Sequence, residues 1–156
     1  MSIDTNFIEY RGINAPDCGF DDVITFKEFS ISEMLELPFD ICNIHSILRT
    51  SVNVNILNKK TFRTPIATSV EGQSLTGLKL GVEGEISTVI TYISNTNDQA
   101  VSVLNYKSKF YISTPVPNNI KTYQSLGVNV YIESINIQKL DQKMLSENLV
   151  LLLTVE

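Results

Sequence analysis

The sequence predicts a mostly β protein, an antiparallel β-sandwich or partly closed barrel with one short helix. Three observations carry this. From about Val52 onward apolar residues recur at every second position, the period of a half-buried strand. Short polar segments separate these runs, and strands joined by short turns pair antiparallel. Two runs change phase midway, which a β-bulge or a strand passing between sheets produces.

In chain order, residues 1–20 have no clear period and are expected to form an extended N-terminal arm, with residues 21–156 as one β domain. The segment Ser30 to Ser51, SISEMLELPFDICNIHSILRTS, departs from the alternating pattern. Ser30 and Glu33 have capping-box spacing, but Pro38 would interrupt a helix running through it. A second start at Asp40 places Ile41, Ile44, Ile47 and Leu48 at helical spacing. One helix is therefore expected near Asp40 to Leu48, lying over an end or open side of the sheets.

Strands follow. Val52, Val54 and Ile56 alternate with Asn53 and Asn55. Leu78, Leu80, Val82, Ile86, Ile90 and Tyr92 share one parity, while Lys79, Glu83, Glu85 and Ser87 share the other. Val128, Val130 and Ile132 alternate with Asn129 and Glu133, after which Ile135 and Ile137 take the opposite parity. Val101 and Val103 likewise give way to Leu104, Tyr106, Phe110 and Ile112. Turns are expected at Asn58 to Pro65, Ser94 to Gln99 and Thr114 to Asn119, and a hairpin tip at Asp141–Gln142. The last run, Leu149 to Val155, is apolar on both parities and reads as a strand buried on both faces.

Composition narrows the function classes. At 156 residues the chain suits one domain able to bury its own core. A net charge of −5 argues against nucleic-acid binding, which calls for a basic stripe. Lys59–Lys60 with Arg63, and Lys107 with Lys109, read as solvated edges or turns. The longest apolar run, Leu149 to Leu153, falls far short of the ~20 residues that span a bilayer. MSIDTNFIEYRG has no basic segment followed by an apolar one, so synthesis and folding in a cytosol are expected. The two cysteines, Cys18 and Cys42, are too few for a disulfide scaffold or a four-cysteine zinc site. They are either reduced thiols or one bridge, within or between chains, formed in an oxidising setting.

The glycines of LTGLKLGVEGEI, Leu75 to Ile86, raise the question of a phosphate loop. A P-loop needs GxxxxGKS/T and a dinucleotide fold needs GxGxxG at a strand-to-helix turn. Gly77, Gly81 and Gly84 have neither spacing, and the alternation runs straight through them. Such glycines mark bends, bulges or close backbone approach. His45 is the only histidine. With Cys42 it makes half a metal site, and no nucleophile motif runs through it. Glu83 and Glu85 lie two apart on one strand face, about 7 Å by strand rise, and read as a solvated face with Lys79 beside them. Tyr92, Tyr106, Tyr111, Tyr123 and Tyr131 could stack on sugars, but their spread favours core and rim roles.

Several of these segments resemble one family in order. FKEFSISEMLELP (Phe26 to Pro38), the segment Asp40 to Leu48, KTFRTP (Lys60 to Pro65), EGQSLTGLKLGVEGEI (Glu71 to Ile86) and the tail from Val128 to Val155 are similar to the SPOCS domain of clostridial and bacillar proteins. The resemblance spans the chain from about Asp21, making residues 21–156 a SPOCS-like β domain. Its most specific piece contains Thr76, Gly77, Lys79, Leu80, Glu83 and Gly84. The chain departs at Ala100 to Ser113, which keeps Phe110 but lacks the histidine that the family often carries there. It shows no peptidoglycan-binding repeat of the kind longer members append, so wall anchoring is not part of the expectation.

The resemblance implies a sporulation role without catalysis or cofactor. The expected function is a noncatalytic structural or adaptor protein of the spore envelope, made in the mother-cell cytoplasm and placed in the coat or at the spore surface. It would act through protein partners or copies of itself, including self-assembly into a layer or filament. The alternative is a carbohydrate-binding module for cortex or coat glycans.

Overall fold

The structure of the chain, a computed structural model, describes residues 8–14, 23–72, 74–118 and 126–156. Seven strands occur in this order: β1 (Glu9–Arg11), β2 (Thr25–Glu36), β3 (Ile44–Thr68), β4 (Ser74–Ser94), β5 (Val101–Pro115), β6 (Val128–Lys139) and β7 (Met144–Val155). One sheet has the order β1-β3-β4-β5 and the other β2-β7-β6. The two pack face to face as a β-sandwich, with no closed barrel. β1 pairs parallel with β3, and every other pairing is antiparallel.

The inward parity supplies the core. Val52, Ile86, Ile90, Tyr92 and Leu104 of the first sheet meet Leu35, Ile132, Ile137, Leu145, Leu149 and Leu151 of the second. A smaller cluster of Leu80, Val82, Leu153 and Val155 fills one end. Each such fully buried aliphatic side chain contributes about 1.5–3 kcal/mol. β7 is central in its sheet, and Leu152 and Thr154 on its outer parity are buried too. The expectation of a strand covered on both faces holds.

No helix forms at Asp40 to Leu48. Residues 39–41 turn, and the chain enters β3 at Ile44. The helical spacing has a definite cause. The β3–β4 register skips once between Ile44 and Ser46 and again between Ile47 and Arg49. Each skip adds one residue to β3, so the inward face falls on Ile44, Ile47 and Thr50, all buried. Two β-bulges three residues apart thus reproduce an i, i+3 apolar pattern in an extended chain. Ser30 and Glu33, the capping-box pair, lie in the middle of β2.

Nor does the chain turn at Asn58 to Pro65. β3 continues through it, with Pro65 accommodated at a further register shift between Arg63 and Ile66. A bulge is one of the few places in a sheet that tolerate proline. The reversal comes later, where Gly72 N donates to Ser69 O at 3.0 Å with Gly72 at a φ of 88°. The turn after Ser94 and the hairpin between β6 and β7 stand where expected. Of the segment expected to turn, Thr114 and Pro115 end β5, and Asn119 lies outside the described residues.

The two phase changes have different origins. A register shift between Ile132 and Ser134 makes Glu133 an extra residue, the bulge expected in β6. The β4–β5 register instead runs unbroken from Lys79↔Pro115 to Ile93↔Val101. β5 contains no bulge there; Val101 and Val103 lie on its outer face and are exposed.

Residues 8–14, within the segment expected to be an extended arm, close one side of the sandwich. β1 adds to β3 at Arg49–Ser51, while Asn14 N donates to Ile132 O at 3.1 Å and Asn14 Oδ1 accepts from Ile132 N at 2.6 Å. The Tyr10 hydroxyl accepts from Ile137 N at 3.1 Å. One short segment therefore ties the free edges of β3 and β6 together.

Candidate functional site

The glycine-rich strand resolves into architecture. Gly84 faces the core, directly opposite Phe110 on β5. The absent side chain leaves room for the Phe110 ring to lie flat on β4 and meet Phe29 of the other sheet, with ring centroids 5.6 Å apart. Gly81 is roofed in the same way on the outer face by Tyr111. Gly77 adopts a φ of 95° opposite the Pro65 bulge, beside Ile66. The Thr76 hydroxyl donates to the Val116 carbonyl and fastens the end of β5 to β4. Leu80 is fully buried, and Lys79 stands half-buried on the outer face.

The outer face carries the charges. Glu83 lies 3.9 Å from Lys109 and Glu85 lies 3.7 Å from Lys107. Both carboxylates are half-buried beside largely exposed lysines, Glu85 more covered than Glu83. Each has its own lysine on the wet face, the arrangement of a solvated strand surface.

His45 is the inserted residue of the first β3 bulge and is exposed. Cys42 is a free, exposed thiol in the turn before β3, and Cys18 lies outside the described residues. Among the described residues no three His, Cys, Asp or Glu side chains converge on a common point.

An open cleft of about 460 Å³ runs between β1, β3 and β6, lined by Tyr10, His45, Ser46, Asn136, Gln138 and Lys139 among others. Two of its polar groups are already engaged by backbone: Tyr10 by Ile137, and Lys139, whose Nζ donates to His45 O at 3.2 Å. The tyrosines considered for stacking do not meet. Tyr92 is wholly interior, Tyr106 is half-buried, and Tyr111 and Tyr131 lie on outer faces of opposite sheets. Tyr123 lies outside the described residues.

Sequence reasoning passed over Glu147. It lies on β7 between Leu145 and Leu149 on the inward parity, is 1% exposed, and its Oε2 has no partner. Burial holds its carboxyl above the ordinary carboxylate range. A hydrogen bond with Thr88 pulls the other way, and the charge of Glu33, its cross-strand neighbour on β2, pushes it further up. The signal was present: a single glutamate stands at a core position of an otherwise apolar alternation.

Two surface regions stand apart from the sandwich. β5 pairs with β4 from Ile93 to Lys79 and is last held to it at Val116, which bonds Leu78 and Thr76, so the rungs Ala67↔Leu75 and Thr68↔Ser74 and the turn after them form a short two-stranded arm beyond the sheet. Ile66 at its base is 78% exposed and Val70 at the turn is fully bare. At the far end of β3, three loops are stitched together: Leu37 N donates to Lys143 O at 2.8 Å, Ile44 N to Gln142 O at 3.0 Å, and Asn95 N to Asn43 O at 2.8 Å. That end displays Phe39, 99% exposed, and Leu140.

No helix among the described residues is long and apolar enough to cross a membrane. Compared with family models, curated proteins and solved structures, the chain matches none.

Proposed function

We propose that this chain is a noncatalytic structural or adaptor protein of the bacterial spore envelope that works through protein–protein contacts. The observation that carries the contact role is the projecting β3–β4 arm, which holds Ile66 and Val70 in solvent. A two-stranded ribbon is marginal alone, and bare apolar side chains grouped on one projection mark an interaction surface more than scattered ones do. The spore assignment rests on the resemblance of Phe26 to Pro38 and Glu71 to Ile86 to the SPOCS domain. A glycan-binding reading needs tyrosines paired in a groove, whereas Tyr111 and Tyr131 occupy opposite faces.

The test is a fluorescent fusion of the whole chain expressed in a sporulating clostridial host. Fluorescence is expected to collect around the forespore, and to become diffuse when Ile66 and Val70 are both replaced by aspartate. Diffuse mother-cell fluorescence of the unaltered fusion throughout sporulation refutes the proposal.

A further inference from the structure

We infer that the middle of β2 is a pH-gated flap: Glu33 and Glu147 stand side by side on the inward face only while Glu147 holds a proton, and β2 lifts from β7 when that proton leaves. The inference concerns motion within the chain and is independent of the envelope reading above.

The register puts the two carboxyls together. Glu33 on β2 and Glu147 on β7 are direct cross-strand partners, with the rungs Ile31↔Leu149 and Leu35↔Leu145 on either side of them on the same inward parity. Side chains directly opposite on antiparallel strands stand about 5 Å apart, and like charges placed there repel. Glu147 is fully enclosed and its Oε2 meets no donor, whereas Glu33 is half-buried.

No cation offsets them. From β4 the Thr88 hydroxyl bonds the Glu147 carboxyl, and Tyr92, farther along, gives its hydroxyl to the Cys42 carbonyl. From β5, Tyr106 stands opposite Thr88 and gives its hydroxyl to the Glu36 carbonyl. β6 meets Glu147 with Ile137. β3 offers Thr50 and Val52 to the interior; its Arg49 is paired with Glu9, and its Lys59 gives Nζ to the Leu126 carbonyl. On β2 itself, Lys27 lies about 20 Å from Glu33 by strand rise, and its Nζ is committed to the Ser113 carbonyl. A buried carboxyl with no cation and a like charge beside it is held as the neutral acid.

β2 is the strand able to respond. It lies at the edge of its sheet and pairs with β7 alone, whereas β7 is held on both sides. Two contacts pin it near its ends: the Phe29 ring packs on Phe110, and Leu37 N donates to Lys143 O. Residues 30–36 form the span between these pins, with Glu33 at the centre. Lifting this span lets water reach both carboxyls from the side where β2 faces β5. In the open form Glu147 is wet and ionises near the ordinary 4.5; in the closed form burial, and after it the charge of Glu33, hold its carboxyl higher. Opening therefore becomes easier as pH climbs above 4.5.

Hydrogen exchange of the full-length chain tests this, measured at about pH 5 and about pH 8 and corrected for the intrinsic pH dependence of amide exchange. Between the two, protection of the amides that join residues 30–36 to β7 is expected to fall at least about tenfold more than protection of residues 86–92 in β4. Glu147→Gln keeps the side chain's size but cannot ionise, and its protection at 30–36 is expected to match at both pH values. Glu33→Gln removes the neighbouring charge and is expected to show a smaller fall than the wild type. Circular dichroism checks that both variants fold, and Glu33→Gln decides alone if Glu147→Gln does not.

A wild type whose protection at 30–36 falls no more than that of β4 overturns the inference. So does a fall in either variant as large as in the wild type. Protection recovered at the higher pH by calcium chloride, and not by sodium chloride of equal ionic strength, assigns the two carboxyls to a cation in place of a proton and overturns it as well.

Discussion

Gly84→Ala is expected to destabilise the fold by about 2 kcal/mol. A Cβ on Gly84 would lie 2.2 Å from Cζ and 2.4 Å from Cε1 of Phe110, where carbon atoms in contact prefer about 3.5–4.0 Å. The ring cannot retreat freely, because Phe29 of the facing sheet packs against it. Overpacking a core position costs about 1–3 kcal/mol. Disturbing an aromatic pair costs about 0.5–1.5 kcal/mol more, and alanine's smaller loss of chain entropy returns about 0.5–1 kcal/mol. Urea unfolding reads the result as a midpoint lowered by roughly 1 M, with the slope unchanged. Gly81→Ala provides the contrast. Its Cβ would lie 2.3 Å from the Tyr111 hydroxyl, yet that ring is 65% exposed and can swing into solvent, so the cost stays below about 0.5 kcal/mol. Combined with Phe110→Leu, Gly84→Ala should become at least about 1 kcal/mol cheaper than it is alone. Equal losses at Gly84 and Gly81, or strict additivity with Phe110→Leu, would refute the account of these glycines as seats for rings.

Two further outcomes follow from the interior. Glu147→Leu is expected to stabilise the protein by about 1–3 kcal/mol at neutral pH, since it removes a buried carboxyl with an unpartnered oxygen. Because burial raises the folded-state pKa of Glu147, the wild type carries no penalty where both states are protonated and loses stability as pH climbs above the ordinary carboxylate value of 4.5. The advantage of the leucine variant should therefore shrink as pH falls below that value, and thermal melts that show a pH-independent advantage would contradict it. Tyr10→Phe leaves the Ile137 amide without its acceptor; a loss of about 1–2 kcal/mol should accompany faster hydrogen exchange at Ile137, and unchanged protection there would rule out the tie between β1 and β6.

Alternation located β4 and β6, each with one face in the core, and β7 was legible instead as a run apolar on both parities, since it is central in its sheet. The same rule failed in β3, where two bulges turned a period of two into a period of three and imitated a helix from Ile41 to Leu48. Pro65 misled for a related reason: proline ends most strands, but here it occupies the one distortion that admits it. Val101 and Val103 looked like a strand changing sheets, yet they are simply apolar residues on a wet edge, and no local pattern separates these cases. Of the motif residues, the sequence placed Gly81 and Gly84 in a strand but could not name Tyr111 and Phe110 as the rings that need them. That pairing depends on register. The arm and the loop end were equally out of reach, since their distinction is where the neighbouring strand stops.

The order of strands in the second sheet also governs when the molecule can fold. β7 lies between β2 and β6, although β2 is made long before either. During translation the β3–β4 and β4–β5 hairpins can zip as they emerge, but β2 has no strand to join until Val155 clears the ribosome. Until then Ile86, Ile90 and Leu104 face water on a half-built scaffold. Nascent chains of this protein pass through an adhesive interval that ends only with β7, and chaperone occupancy should fall once β7 has emerged and not before.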